Sequence, residues 1–194
     1  MGRNAELSVT KLKYNPDVHH HRSLRLRGFD YTQSGAYFVT ICTHGRGCLF
    51  GEVIDAAMQL NPLGQVALEC WMSLPQHFNQ VSTDQVVVMP NHVHGIVWIV
   101  EDGRGTACRA PTTERFAHPV SGSIPTIIRS FKSAVAKRIN QLRNTPGAPV
   151  WQSNYYERVV RDEKELDAIR LYIVDNPANW SEDEENPQNG TGYS

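Results

Sequence analysis

Two histidines two residues apart, His92 and His94, lie inside an almost wholly apolar run over residues 86–100, VVVMPNHVHGIVWIV. A near-continuous Val/Ile run reads as a strand buried on both faces. Side chains alternate along a strand, so His92 and His94 point the same way and Val93 points into the opposite layer. Two imidazoles on a rigid core strand suit a divalent metal, for which neutral imidazole is a common ligand. A bare H-x-H fits equally a pair of ordinary hydrogen-bonded residues on a half-buried face, so its context must decide. Further along, Tyr172 and Asn176 stand four residues apart in YIVDNP and project together from one helix end. Singly they read as a core tyrosine and a capping asparagine.

The elements that must position these four side chains follow from periodicity and punctuation. Residues 37–43 (YFVTICT) read as a strand. Residues 49–54 and 58–60 read as two short strands or a hairpin around Asp55-Ala56. Asn61 is an N-cap and Pro62 a first-turn residue for a helix with Val66, Leu68, Trp71 and Leu74 on its apolar side, ended by Pro75. Met89-Pro90-Asn91 marks a strand start, turn or bulge. Residues 101–122 form a Gly-, Thr- and Arg-rich loop, and residues 123–143 a helix with Ile128, Phe131, Val135, Ile139 and Leu142 in one stripe. Val150-Trp151 and residues 156–161 are short extended pieces. In the last helix Asp162 is the N-cap and Glu165 completes a capping box. Pro177 draws the preceding residue out of helical geometry, so this helix ends near Asn176.

The chain of 194 residues, 40% hydrophobic, suits one domain over residues 28–180. It is preceded by a basic arm over 1–27 and followed by an acidic tail over 181–194. No apolar run approaches the ~20 residues that span a bilayer, and no leader peptide is read. The expectation is a soluble cytoplasmic protein with free thiols at Cys42, Cys48, Cys70 and Cys108. The spacing of Cys42, His44 and Cys48 fits no standard zinc site. A net charge of -1 conceals strong asymmetry. Residues 115–156 contain no Asp or Glu but carry Arg115, Arg129, Lys132, Lys137, Arg138 and Arg143. Residues 182–185 are all acidic. The basic segment, with Arg25 and Arg27 of the arm, is an electrostatic footprint for phosphate or simply a solvated helix face.

The joint pattern of H-V-H on a strand and Y-I-V-D-N-P on a later helix resembles the HUH endonucleases. It resembles most closely the REP-associated tyrosine transposases, relatives of the single-tyrosine transposases of small insertion sequences. The matching stretches are RSLRLRGFDYTQSGAYFVTICT, VVVMPNHVHGIVWIV, IIRSFKSAVAKRIN and APVWQSNYYERVVRDEKELDAIRLYIVDNPANW, most of residues 22–180. The resemblance implies an α+β fold, a ferredoxin-like antiparallel sheet with packed helices. It also implies Mg²⁺- or Mn²⁺-dependent cleavage and rejoining of single-stranded, hairpin-forming DNA through a 5′-phosphotyrosine. On that basis His92 and His94 are metal ligands, Tyr172 the nucleophile and Asn176 a candidate third ligand. Arg25, Arg27, Arg129, Lys132, Lys137 and Arg138 are candidate DNA contacts. Other single-tyrosine transposases commonly carry Gln where this chain has Asn176, one methylene shorter. Both monomers and homodimers occur among such relatives.

The implied chemistry is coherent with the residues. A phenol of pKa about 10 is a weak nucleophile while protonated, and a metal beside it would polarise the phosphate and stabilise transition-state charge. Replication-initiator nickases of the HUH group often carry Y-x-x-x-Y, and the second position here is Asn176. Tyr155 and Tyr156 precede the capping box and are assigned supporting roles. A non-catalytic hairpin-DNA binder is the rival reading. A metal-dependent hydrolase built on H-V-H needs a barrel of ~250 residues, more than this chain provides.

Overall fold

The computed structural model describes residues 30–100 and 120–189. Arg25 and Arg27, the rest of the expected arm, most of the 101–122 loop, and Cys108 lie outside the described residues.

Strand β1 (Gly35–Cys42) leads into a hairpin of β2 (Gly51–Ile54) and β3 (Ala57–Leu60). Its two-residue turn places Asp55 and Ala56 at φ of 50° and 61°, as tight hairpins require. Helix α1 (Pro62–Met72) follows, capped by Asn61 Oδ1, which accepts from the Leu63 and Gly64 N–H groups at 2.9 and 3.0 Å. Pro75 does not end this helix. α1 stops at Met72, and Pro75 sits in the first turn of the one-turn helix α2 (Leu74–His77), where a missing N–H costs nothing.

The apolar run over 86–100 is two strands rather than one, and of the three readings of Met89-Pro90-Asn91 the turn is the one the fold adopts. β4 (Val81–Val88) and β5 (His92–Ile99) pair antiparallel, with Val88 opposite Val93. The turn between them is pinned from outside. Phe50 N–H donates to the Pro90 carbonyl at 2.9 Å, and Thr43 N–H to the Asn91 carbonyl at 2.8 Å. Helix α3 (Ile124–Leu142), edge strand β6 (Tyr156–Val159) and helix α4 (Glu163–Asp175) follow. The four-stranded sheet runs β4-β5-β1-β6 with every neighbouring pair antiparallel. With α1 and α3 as crossovers this is the expected ferredoxin-like β-α-β-β-α-β arrangement.

Alternation divides the sheet into two faces. Tyr37, Val39 and Ile41 of β1, with Val93 and Val97 of β5, meet Trp71 of α1 and Ile127, Phe131 and Val135 of α3 in the larger core. Gly95 lacks a side chain because the Trp71 ring lies 2.3 Å from where its Cβ would stand. Leu142, the last residue of the expected α3 stripe, is 60% exposed at the helix end. On the other face Ala36, Phe38 and Ile96 meet Leu166 and Ile173 of α4. Asp162 Oδ1 caps α4 by accepting the Glu165 N–H, and Glu165 Oε2 accepts the N–H of Arg161 in return, both at 2.8 Å. Arg170 and the Trp98 indole both donate to Asp84, fastening α4 to edge strand β4.

Asn176 does not leave helical geometry before Pro177. It keeps φ −56° and ψ −44°, and the chain tightens into a 3-10 helix over Pro177–Glu182. The acidic stretch then folds back onto the domain instead of trailing away. Arg46 pairs with Glu185 at 3.2 Å, and Asn186 Nδ2 donates to the Trp180 carbonyl at 2.9 Å.

Candidate metal and tyrosine site

The even-numbered side chains of β5 face α4, so His92 and His94 emerge beneath that helix with Ile96. Their ring centroids are 4.4 Å apart. Both are buried, His92 completely. Each Nδ1 has a protein partner: Asn91 Oδ1 for His92 at 2.9 Å, and Thr40 Oγ1 for His94 at 2.8 Å. His92 Nε2 has no partner, although it is buried.

Tyr172 is placed by the packing of its neighbours. Ile173 and Leu166 anchor the apolar stripe of α4, which leaves Tyr172 at the stripe's edge above β5. The phenol packs edge-on against Phe38, at a centroid distance of 6.1 Å, and its hydroxyl lies 3.3 Å from His94 Nε2. The residue as a whole is 47% exposed, so the ring's flank faces solvent while its polar end enters the site. Asn176, one turn on, is buried, and its Oδ1 has no hydrogen-bond partner. Four side chains from β5 and α4, distant in sequence, are thus brought together as the sequence pattern anticipates.

The structure adds Asp183. One ligand atom from each of His92, His94 and Asp183 lies within 4.8 Å of the others. The aspartate comes from the acidic stretch that composition alone reads as a tail. The cluster of carboxylates over 182–185 was the available signal, but nothing in it singles out position 183.

The electrostatics of the cluster share one direction. Burial lowers the His92 pKa to about 3, with the Arg46 charge adding to it and the Asn176 side chain opposing it. Burial, then the neighbouring His92, hold His94 well below the usual imidazole value. Both rings are therefore neutral, the form that ligates metal. Burial, then the Asp183 charge, push the Tyr172 phenol upward. Burial raises Asp183 to about 6, with the Glu185 charge adding to this against the Glu185 N–H that Asp183 accepts. A divalent cation would offset every one of these costs. It takes up imidazole lone pairs, favours the carboxylate and lowers a nearby phenol's pKa. The donor set and the unpartnered His92 Nε2 and Asn176 Oδ1 fit such an ion.

The basic candidates lie elsewhere. α3 covers the opposite face of the sheet from the histidines. On it Arg129 and Lys137 are exposed. Lys132 is committed internally, donating to the carbonyls of Gln152 and Ser153 at 2.6 and 3.1 Å. Arg138 pairs with Glu69 at 2.6 Å. The expectation that Lys132 and Arg138 are phosphate contacts therefore meets side chains already engaged within the fold. Tyr155 donates to Glu157 at 2.7 Å, and Tyr156 packs against Phe38.

Over 176 residues, 89% of this chain and 96% of the other, the sequence is 42% identical to an uncharacterised protein of Haemophilus influenzae. No family model matches. Among solved structures, the fold is similar to that of a REP-associated tyrosine transposase bound to a REP hairpin. That likeness has a TM-score of 0.52 at 17% identity and covers 77% of this chain and 70% of that one. A proposed transposase of Deinococcus radiodurans aligns with a TM-score of 0.43 at 16% identity, over 77% of this chain and 95% of that one. At these identities the likeness is one of fold. Among the described residues, no helix is long and apolar enough to cross a membrane.

Proposed function

We propose that this chain, which belongs to the same family as the Haemophilus influenzae protein, is a metal-dependent single-strand DNA endonuclease and strand transferase. Tyr172 is its nucleophile. His92, His94 and Asp183, with Asn176 adjacent, would hold Mg²⁺ or Mn²⁺. The observation that carries this reading is the Tyr172 hydroxyl 3.3 Å from His94 Nε2, beside a buried imidazole pair and a carboxylate within ligand distance of one another.

When bound, the metal would supply Lewis-acid stabilisation of charge developing on the phosphate oxygens. The chain's own residues do the rest. Phe38 stacks against the His94 ring at 5.5 Å and meets Tyr172 edge-on, fixing the approach of phenol to imidazole. In cleavage the Tyr172 oxygen forms a bond to phosphorus as its phenolic proton passes to solvent, the bond to the DNA 3′-oxygen breaks, and that oxygen takes up a proton from solvent. The product is a 5′-phosphotyrosine and a free 3′-OH. Attack by a 3′-OH on that linkage regenerates the phenol and a phosphodiester, so rejoining needs no external energy source. Hairpin-forming DNA is the preferred substrate class by the motif resemblance, and the fold relative bound to a REP hairpin is consistent with it.

The test is a denaturant-resistant protein–DNA adduct formed on single-stranded hairpin DNA with Mn²⁺. Tyr172→Phe is expected to abolish the adduct and leave DNA binding near normal. An adduct that survives the substitution moves the nucleophile elsewhere, and no adduct from the unaltered protein favours a DNA-binding role without chemistry.

A further inference from the structure

Asn91 is fully buried, polar, and immediately precedes the first histidine. Its side-chain amide is fully used. Nδ2 donates to the carbonyl of Arg46 at 3.0 Å and to that of Glu185 at 2.6 Å. Carbonyl oxygens only accept, so the orientation of this amide is dictated by its partners. Oδ1 must therefore be the atom at 2.9 Å from His92 Nδ1. An amide oxygen accepts only, so His92 Nδ1 must carry the hydrogen. In a neutral ring the hydrogen then cannot be on Nε2. The lone pair of His92 thus points from Nε2, a buried atom that completes no well-formed hydrogen bond although the Asn176 side chain lies close enough to act on this ring.

The same amide reaches the other half of the cluster. Glu185 is two residues beyond Asp183, whose carboxylate accepts the Glu185 N–H at 2.7 Å. The Asn91 bond to the Glu185 carbonyl therefore holds the segment that carries Asp183 against the β4–β5 turn. The position of Asn91 is itself secured, since its carbonyl accepts the Thr43 N–H and its neighbour Pro90 accepts that of Phe50.

We propose that Asn91 is the positioning residue of the metal centre, its Oδ1 fixing the His92 tautomer that presents Nε2 and its Nδ2 tying down the Asp183 segment. This rests on the metal reading above, and it assigns to one amide two tasks at sites far apart in the chain. Partners of this kind around a ligating histidine typically govern metal affinity by 10–100-fold.

The experiment uses the full chain with the histidine rings ¹⁵N-labelled, first metal-free. The unaltered protein should show His92 as the Nδ1–H tautomer. Asn91→Leu, close in volume but without polar atoms, should lose that fixed tautomer and bind Mn²⁺ about 10–100-fold more weakly by calorimetry. Asn91→Asp separates the two tasks. It keeps an acceptor for His92 Nδ1–H but sets a carboxylate oxygen against two carbonyls. The tautomer should survive, while amide exchange over residues 183–189 accelerates at least tenfold. An unchanged His92 tautomer in a folded Asn91→Leu protein would overturn the inference, as would loss of the tautomer in Asn91→Asp. Should the leucine variant fail to fold, the aspartate variant alone decides. Failure of the unaltered protein to bind Mn²⁺ would overturn the metal reading instead, because the tautomer measurement needs no metal.

Discussion

Asp183→Asn should stabilise the metal-free protein at neutral pH and remove most of its response to metal. Burial and Glu185 raise the Asp183 carboxyl from 3.8 to about 6. A raised carboxyl pKa means that the folded state prefers the neutral acid. Its contribution to stability is fully present below about pH 4, is lost as pH rises through about 6, and is constant above that. At about 1.4 kcal/mol per pK unit the ionised form carries up to about 3 kcal/mol of penalty at pH 7. The group is only part-buried, so solvent screening reduces this to about 1–2 kcal/mol. Asparagine keeps an acceptor for the Glu185 N–H, 2.7 Å from the carboxylate, and carries no charge. Urea denaturation with EDTA at pH 7.5 should therefore show the variant more stable by that amount, with the difference vanishing near pH 4. Adding Mn²⁺ should reverse the order. The unaltered protein should gain about 2.7 kcal/mol at one hundred times its dissociation constant, and the variant much less at the same concentration. A variant less stable than the parent by the same amount at both pH values, or one gaining equally from Mn²⁺, would refute the reasoning.

Three further outcomes are expected. Gly95→Ala drives a Cβ to within 2.3 Å of the Trp71 ring and should cost about 1–3 kcal/mol by denaturant titration; no loss would show that the ring has room to move. His92→Ala should weaken Mn²⁺ binding at least tenfold by calorimetry, and an unchanged affinity would remove His92 from the ligand set. In the metal-free Asp183→Asn protein, stability should fall as pH drops from about 6.5 toward 3, because His92, lowered to about 3, must be charged only on unfolding over that range. A flat profile there would mean that the imidazoles are not buried neutral.

Local rules in the sequence were sufficient for one half of this site. Strand alternation puts His92 and His94 on one face wherever the strand lies, and helical periodicity does the same for Tyr172 and Asn176. The Asn61 and Asp162 caps and the α3 stripe are legible for the same reason, since each depends on residues within a few positions of one another. Periodicity could not say that residues 86–100 turn back on themselves. A buried run reads alike in one strand or two, and the bonds that pin the Met89–Asn91 turn come from Thr43 and Phe50. Nor could charge counting find that Lys132 and Arg138 have partners at Gln152, Ser153 and Glu69. Asp183 reaches the histidines, and Asn91 reaches Glu185, only because a 3-10 helix after Pro177 folds the acidic stretch back over β5. The sequence by itself determined which side chains share a face, because that is set by backbone geometry over a few residues. Which faces meet, and which carboxylate stands beside the imidazoles, only the tertiary structure decided, because those contacts join parts of the chain that no local period relates.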